Sequence, residues 1–171
     1  MILRSSLVAL CAVAVQASSA SSAVAADDMG SAGWIAQRAQ LFSQVCMAAA
    51  PTFLDFETHA KAASLSETEN GWHMAPEVLI DVLQHDSFCS CFMTVMAPDQ
   101  TAMITAIHAQ LMQDYGSDYS GPKSGLATVA PFDRSGVEVV SILEPREFNG
   151  DKWVAARLSV FGTCAEAEKT K

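Results

Sequence analysis

The 171 residues are enough for one domain with a buried core, and half of them are hydrophobic. The chain has 10 Lys and Arg residues against 19 Asp and Glu residues, which gives a net charge of −9. An acidic chain without basic clusters is a poor binder of nucleic acid and of anionic membranes. We therefore expect no nucleic acid among its partners.

Residues 1–26 have the pattern of a secretory signal peptide. Arg4 precedes an apolar run that is too short to span a bilayer, and small residues then offer cleavage sites after Ala25 or Ala26. We expect a periplasmic or secreted protein without a membrane span. Its mature part, residues 27–171, has the length of a single domain.

Two helices are predicted in the first part of the mature chain. Ser31 can cap the first helix, which runs to about Ala50 with apolar residues at helical spacing, and Pro51 ends it. Thr52 with Asp55 three residues later resembles a capping box that opens a second, shorter helix.

The stretch 86–96 predicts a central strand that carries two cysteines. Side chains alternate along a strand, so Cys89 and Cys91 share a face and are poorly placed to bond each other. Cysteines of exported proteins usually form disulfides. We therefore expect one bond from Cys46 and one from Cys164, and both assignments of these two to Cys89 and Cys91 remain open.

Two antiparallel hairpins are predicted. Residues 76–84 are compatible with a helix or a strand, and we favour a strand that pairs with the cysteine-bearing one. The second hairpin, 137–148 with 151–163, turns at Asn149-Gly150, the preferred pair for a two-residue turn. Its predicted register places Val139 opposite Val160, Ser141 opposite Leu158, and Ile142 opposite Arg157.

A third helix is predicted from Asp99, its cap, to Tyr115, where Gly116 ends it. The predicted order is therefore α-α-ββ-α-ββ. This order indicates an α+β protein with helices packed on an antiparallel sheet of about four strands, stapled by two disulfides.

The layout resembles small exported proteins of alphaproteobacteria. The residues that carry the resemblance are Cys46 and Pro51 at the end of a helix, Trp72, and the strand with Cys89 and Cys91 before an amphipathic helix. The resemblance implies a periplasmic address and no particular activity.

A copper site is the sharpest alternative for the chemistry of the strand. Reduced thiolates and thioethers are soft ligands that suit Cu(I). The candidate ligands are His85, Cys89, Cys91, Met93 and Met96. Against this hypothesis, Met93 falls on a predicted core position, and disulfides would leave no thiolate, so the leading interpretation includes no cofactor.

The Gly-, Ser- and Pro-rich stretch 116–136 is the candidate binding surface. It lies near Tyr115 and contains Tyr119 and Phe132, and Trp72 lies in another polar connection. Aromatic residues in a long loop suit recognition of a protein, a peptide or a small ligand, although a disordered connector fits equally well. The sequence thus favours a non-enzymatic binding protein, with a copper-handling protein second and a small hydrolase third.

Overall fold

The structure, a computed structural model, describes residues 28–74, 76–119, 121, 128–162 and 164. The predicted signal peptide and its cleavage sites lie outside these residues. Among the described residues, no helix is long and apolar enough to cross a membrane.

Three α-helices are present: α1 (Ala32–Phe42), α2 (Phe56–Ala62) and α3 (Gln100–Tyr115). A π-helical turn, Ser43–Met47, continues α1, and a 3-10 turn, Gly116–Asp118, follows α3. The predicted caps of α1 and α3 are confirmed. The Ser31 hydroxyl accepts the Trp34 backbone N–H at 3.2 Å, and the Asp99 carboxylate accepts that of Ala102 at 2.9 Å.

The capping box predicted at Thr52 is absent. Helix α2 begins at Phe56, after Asp55 as its cap, and Asp55 makes no side-chain capping bond. The Thr52 hydroxyl instead accepts the backbone N–H of Leu54 at 3.4 Å. Short polar side chains compete for nearby backbone groups in this way, so the same sequence pattern serves a turn here.

The strands form one antiparallel sheet in the order β1-β2-β3-β4-β7-β6-β5. Their bounds are β1 (Ser66–Thr68), β2 (Gly71–Met74), β3 (Val78–His85), β4 (Phe88–Met96), β5 (Thr128–Arg134), β6 (Val137–Phe148) and β7 (Asp151–Phe161). The first four strands run as a meander, and α3 then leads to β5 at the far edge. The last three strands return as a second meander, so β4 and β7 pair at the centre.

The prediction of about four strands was wrong, because the sheet has seven. The three missed strands are β1, β2 and β5. All residues of β1 are exposed, so it shows no alternation, and β2 has only four residues. Strand β5 contains Pro131, which argues against a central strand but is tolerated at the sheet edge where β5 lies.

Both predicted hairpins are present. Residues 78–85 form a strand rather than a helix and pair with β4. In the second hairpin, Val139 lies opposite Val160 and Ile142 opposite Arg157, as predicted. Asn149 adopts a φ of 54° and Gly150 a φ of 87°, the left-handed pair that this two-residue turn requires.

The helices pack on one face of the sheet, which we call the covered face. Thirteen side chains of β3, β4, β6 and β7 on this face are at most 1% exposed, namely Val78, Ile80, Cys89, Cys91, Met93, Val95, Val139, Ser141, Leu143, Val154, Ala156, Leu158 and Val160. The opposite side, which we call the open face, has none of the three helices packed on it.

Two disulfides tie the covered face to its surroundings. Cys46, in the π-helical turn, bonds Cys91 of β4, and Cys89 of β4 bonds Cys164 beyond β7. The bonds span 45 and 75 residues of sequence. They settle the assignment that the sequence left open, because Cys91 is the cysteine of β4 that lies beneath the helical layer.

Candidate functional site

The four aromatic residues of the predicted binding surface are buried. Trp72 lies on the covered face of β2 and is 5% exposed. Its ring meets Phe56 of α2 edge-on at 6.5 Å, and the Lys61 ammonium lies 5.6 Å from the ring centroid. Trp72 thus anchors α2 to the sheet and does not present a recognition surface.

Tyr115, Tyr119 and Phe132 form one aromatic cluster beside α3. The Phe132 ring lies 4.4 Å from that of Tyr115 and 5.7 Å from that of Tyr119, and all three side chains are less than 9% exposed. Burial raises the pKa of Tyr115 to about 12, against the opposing charge of Arg134. The cluster therefore belongs to the interior, because β5 folds Phe132 inward instead of leaving it in a loop.

The residues of the copper alternative do not meet as free ligands. The sulfur atoms of Cys89 and Cys91 are both in disulfides, and Met93 is fully buried on the same face. His85 and Met96 lie on the opposite face, where the His85 ring stacks on Phe88 at 4.7 Å. Strand alternation thus separates these two side chains from the sulfurs.

A cluster of one imidazole and two hydroxyl groups, from His108, Tyr119 and Ser141, lies between α3 and the sheet. Nδ1 of His108 and the Tyr119 hydroxyl form a hydrogen bond with each other. Burial raises the pKa of Tyr119, and a hydrogen bond with the Ser141 side chain lowers it in part. Ser141 is fully buried, and its hydroxyl donates to the Ala130 carbonyl at 3.3 Å. A hydroxyl in this position is out of reach of a substrate, so we assign the group to packing.

The open face carries several exposed apolar side chains although none of the three described helices packs on it. An antiparallel sheet with one solvated face normally alternates apolar and polar residues. Here Phe161, Val129 and Leu83 are 74%, 59% and 49% exposed. Further apolar residues of intermediate exposure on this face are Phe88, Phe92, Val140 and Ile142. A contiguous exposed apolar surface of this kind marks binding sites in proteins.

Two shallow grooves cross the centre of the open face. The Phe161 groove, with a volume of ≈ 180 Å³, is lined by Phe88, Val140, Ile142, Arg157, Ser159, Val160 and Phe161. The Phe92 groove, with a volume of ≈ 210 Å³, is lined among others by Leu83, Ser90, Phe92, Ile142, Glu144 and Arg157. Ile142 and Arg157 border both grooves, so they stand at the junction of one continuous surface.

Few polar groups lie at this junction, and most of them form a hydrogen bond or an ion pair within the protein. The hydroxyls of Ser90 and Ser159 lie opposite each other and hydrogen-bond at 2.7 Å. Glu144 forms an ion pair with Arg146. Arg157 is different, because none of the ion pairs among the described residues includes its guanidinium.

The sequence paired these residues but did not single them out. The predicted register already placed Ile142 opposite Arg157. One signal in the sequence could have indicated this surface: large apolar residues occur on both faces of the same strand. In β4, Phe88 and Phe92 lie on one face, and Met93 and Val95 lie on the other. Only the packing of the helices shows which of the two faces is covered.

Comparisons with known proteins found no matching family model, no matching curated protein and no matching solved structure. The resemblance to small exported alphaproteobacterial proteins therefore stays a prediction.

Proposed function

We propose that the protein is an exported binding protein whose open face takes up the apolar part of a small amphipathic molecule. The observation that carries this proposal is the apolar Phe161 groove on a sheet surface without helices. Burial of an alkyl chain contributes up to about 0.8 kcal/mol for each methylene removed from water. A groove lined by Phe88, Val140, Ile142 and Phe161 offers that burial without a large change of conformation.

The sheet edges favour binding on the face over binding by strand addition. Edge strand β1 has three residues, and edge strand β5 contains Pro131, which has no backbone N–H to donate. Short strands and prolines are devices that prevent another chain from pairing with an edge. A partner that added a strand would find little hydrogen bonding at either edge.

The size of the grooves favours a small, narrow molecule. Their volumes of ≈ 180 and ≈ 210 Å³ are below the roughly 300–1,000 Å³ of enclosed ligand pockets, so they suit an extended chain that lies across the surface. A second copy of the chain is less suitable as the occupant, because two molecules with a net charge of −9 repel each other.

The two disulfides support both the export and the binding parts of the proposal. Disulfides persist in oxidising compartments, which is compatible with a secreted or periplasmic protein, and the predicted signal peptide points to the same address. They also hold β4 rigidly, and a preorganised surface loses less conformational entropy on binding. The copper-handling alternative would first require reduction of disulfides at Cys89 and Cys91, and we do not propose it.

The test is binding of the neutral apolar fluorophore N-phenyl-1-naphthylamine to the mature protein. We expect fluorescence enhancement that saturates, and a several-fold weaker affinity for Ile142→Ser, because this side chain borders both grooves. Met112→Ser is the matched control, since Met112 is 58% exposed on α3, away from the sheet. Equal affinities of the two variants, or no saturable binding, would overturn the proposal.

A further inference from the structure

Arg157 is the charged side chain at the centre of the open face. It lies between Phe92 on β4 and Ile142 on β6, its direct neighbours across the sheet. Its guanidinium carries five N–H donors, and no side-chain hydrogen bond or ion pair within the described part of the chain uses them. In the free protein, water can serve these donors because the side chain is partly exposed.

An occupant of the grooves must replace that water. Arg157 lines both grooves, so a molecule that fills either one removes solvent from the guanidinium. Covering a charge without a partner is strongly unfavourable, whereas a carboxylate compensates the guanidinium with two parallel hydrogen bonds. The surface therefore penalises a purely apolar occupant and favours one with an anionic end.

The charges around Arg157 limit the occupant to a single negative group. Asp81 lies beyond Phe92 in the same cross-strand row, and Glu144 lines the Phe92 groove. Glu138 lies near Phe161 at the end of β6. These carboxylates, together with the net charge of −9, repel a polyanion but leave room for one anion at the central arginine.

The apolar surface extends in one direction from Arg157. Along β7, Phe161 lies four positions after Arg157, which is about 13 Å at the rise of an antiparallel strand. The Phe161 groove covers this span, with Val140 and Phe88 on its two sides. An anion at Arg157 thus places an attached alkyl chain of medium length along the groove.

We propose that the open face selects a medium-chain alkyl monocarboxylate, whose carboxylate is bound by Arg157 and whose chain lies along the Phe161 groove. This inference rests on the proposed function, because it presupposes that the open face is a binding surface.

The experiment compares three ligands of equal chain length by calorimetry, at concentrations below micelle formation. The ligands are decanoate, 1-decanol and decylamine, which are anionic, neutral and cationic at neutral pH. We expect decanoate to bind about tenfold more tightly than decanol, because its carboxylate adds one charged hydrogen-bonding interaction with Arg157. We expect decylamine to bind most weakly, because its charge has the same sign as that of Arg157. Arg157→Gln should abolish the preference for decanoate: the decanoate affinity falls, whereas the decanol affinity does not fall, because decanol no longer covers a charged group.

Arg157→Lys separates charge from geometry. Lysine keeps the charge but loses the two-pronged contact, so we expect an affinity for decanoate between those of the wild type and Arg157→Gln. The thermal unfolding temperature of each variant serves as the folding control. Equal affinities for decanoate and decanol, or a decanoate preference that survives Arg157→Gln, would overturn the inference while leaving the proposed function intact.

Two other outcomes bear on the proposed function itself. Failure of all three ligands to bind contradicts a small-molecule site on the open face. Concentration-dependent dimers in sedimentation, abolished by Ile142→Glu, would show that a second copy occupies the face and would overturn both proposals.

Discussion

On β4, the covered face carries Cys89, Cys91, Met93 and Val95, whereas the open face carries Phe88 and Phe92 beside serine and threonine. Both faces thus carry large apolar side chains, but only the covered face is sealed by helices and disulfides. On the covered face, apolar side chains contribute to folding because they leave water when the helices dock. On the open face the apolar side chains remain partly in water. The free energy of removing them from water can therefore contribute to ligand binding. Three predictions test this comparison.

The largest difference is expected from the disulfide that ties β4 to the helical layer. We expect Cys46→Ala/Cys91→Ala to lower the free energy of unfolding by about 4 kcal/mol, because the bond closes a long loop in the unfolded chain. Urea unfolding of the oxidised proteins measures the difference. The control is Ser90→Ala/Ser159→Ala on the open face of β4 and β7, which removes both partners of one hydrogen bond and should cost less than about 1 kcal/mol. A disulfide variant as stable as this control would show that the Cys46–Cys91 bond does not stabilise the covered face.

The second prediction compares adjacent residues of β6. Leu143 is fully buried on the covered face, and Ile142 is partly exposed on the open face. Leu143→Ala leaves a cavity and should cost about 3 kcal/mol, whereas Ile142→Ala should cost about 1 kcal/mol or less. Equal losses in denaturant unfolding would mean that the open face is packed in the folded protein, which would contradict its assignment as a free binding surface.

The third and smallest effect is a pH dependence of the free energy of unfolding, caused by His108 in the helical layer on the covered face. Burial lowers the pKa of His108 below its ordinary value of 6.5, so the unfolded chain takes up this proton at a higher pH than the folded one. The resulting stability is fully present above pH 6.5 and is lost as the pH falls through the folded pKa. We therefore expect the stability difference between the wild type and His108→Gln to shrink from about pH 7.5 to about pH 5.

Denaturant unfolding of the wild type and of His108→Gln at each pH measures this difference. A difference that stays constant with pH would show that folding does not shield the His108 imidazole from solvent.

The features that could be predicted are those with strong local signals. Ser31 and Asp99 cap helices because their side chains reach a backbone N–H within the first turn, and Asn149-Gly150 sets the register of β6 with β7 because both residues adopt positive φ. The strands β1, β2 and β5 lacked such signals. Trp72 and Phe132 were assigned to polar loops for this reason, and their burial follows from the sheet positions that those strands give them.

The sequence by itself determined the alternation of β4 and the two-residue turn of the last hairpin, since each depends on neighbouring residues. It also predicted two disulfides, because four of its five cysteines remain once Cys11 is assigned to the predicted signal peptide. Only the tertiary structure decided that Cys46 bonds Cys91, that the aromatic residues near α3 are interior, and that α1, α2 and α3 leave one face of the sheet uncovered. The reason is physical. Alternation divides a strand into two faces, but which face is buried depends on where distant helices pack. Arg157 acquires its proposed role only because the helices pack on the other side.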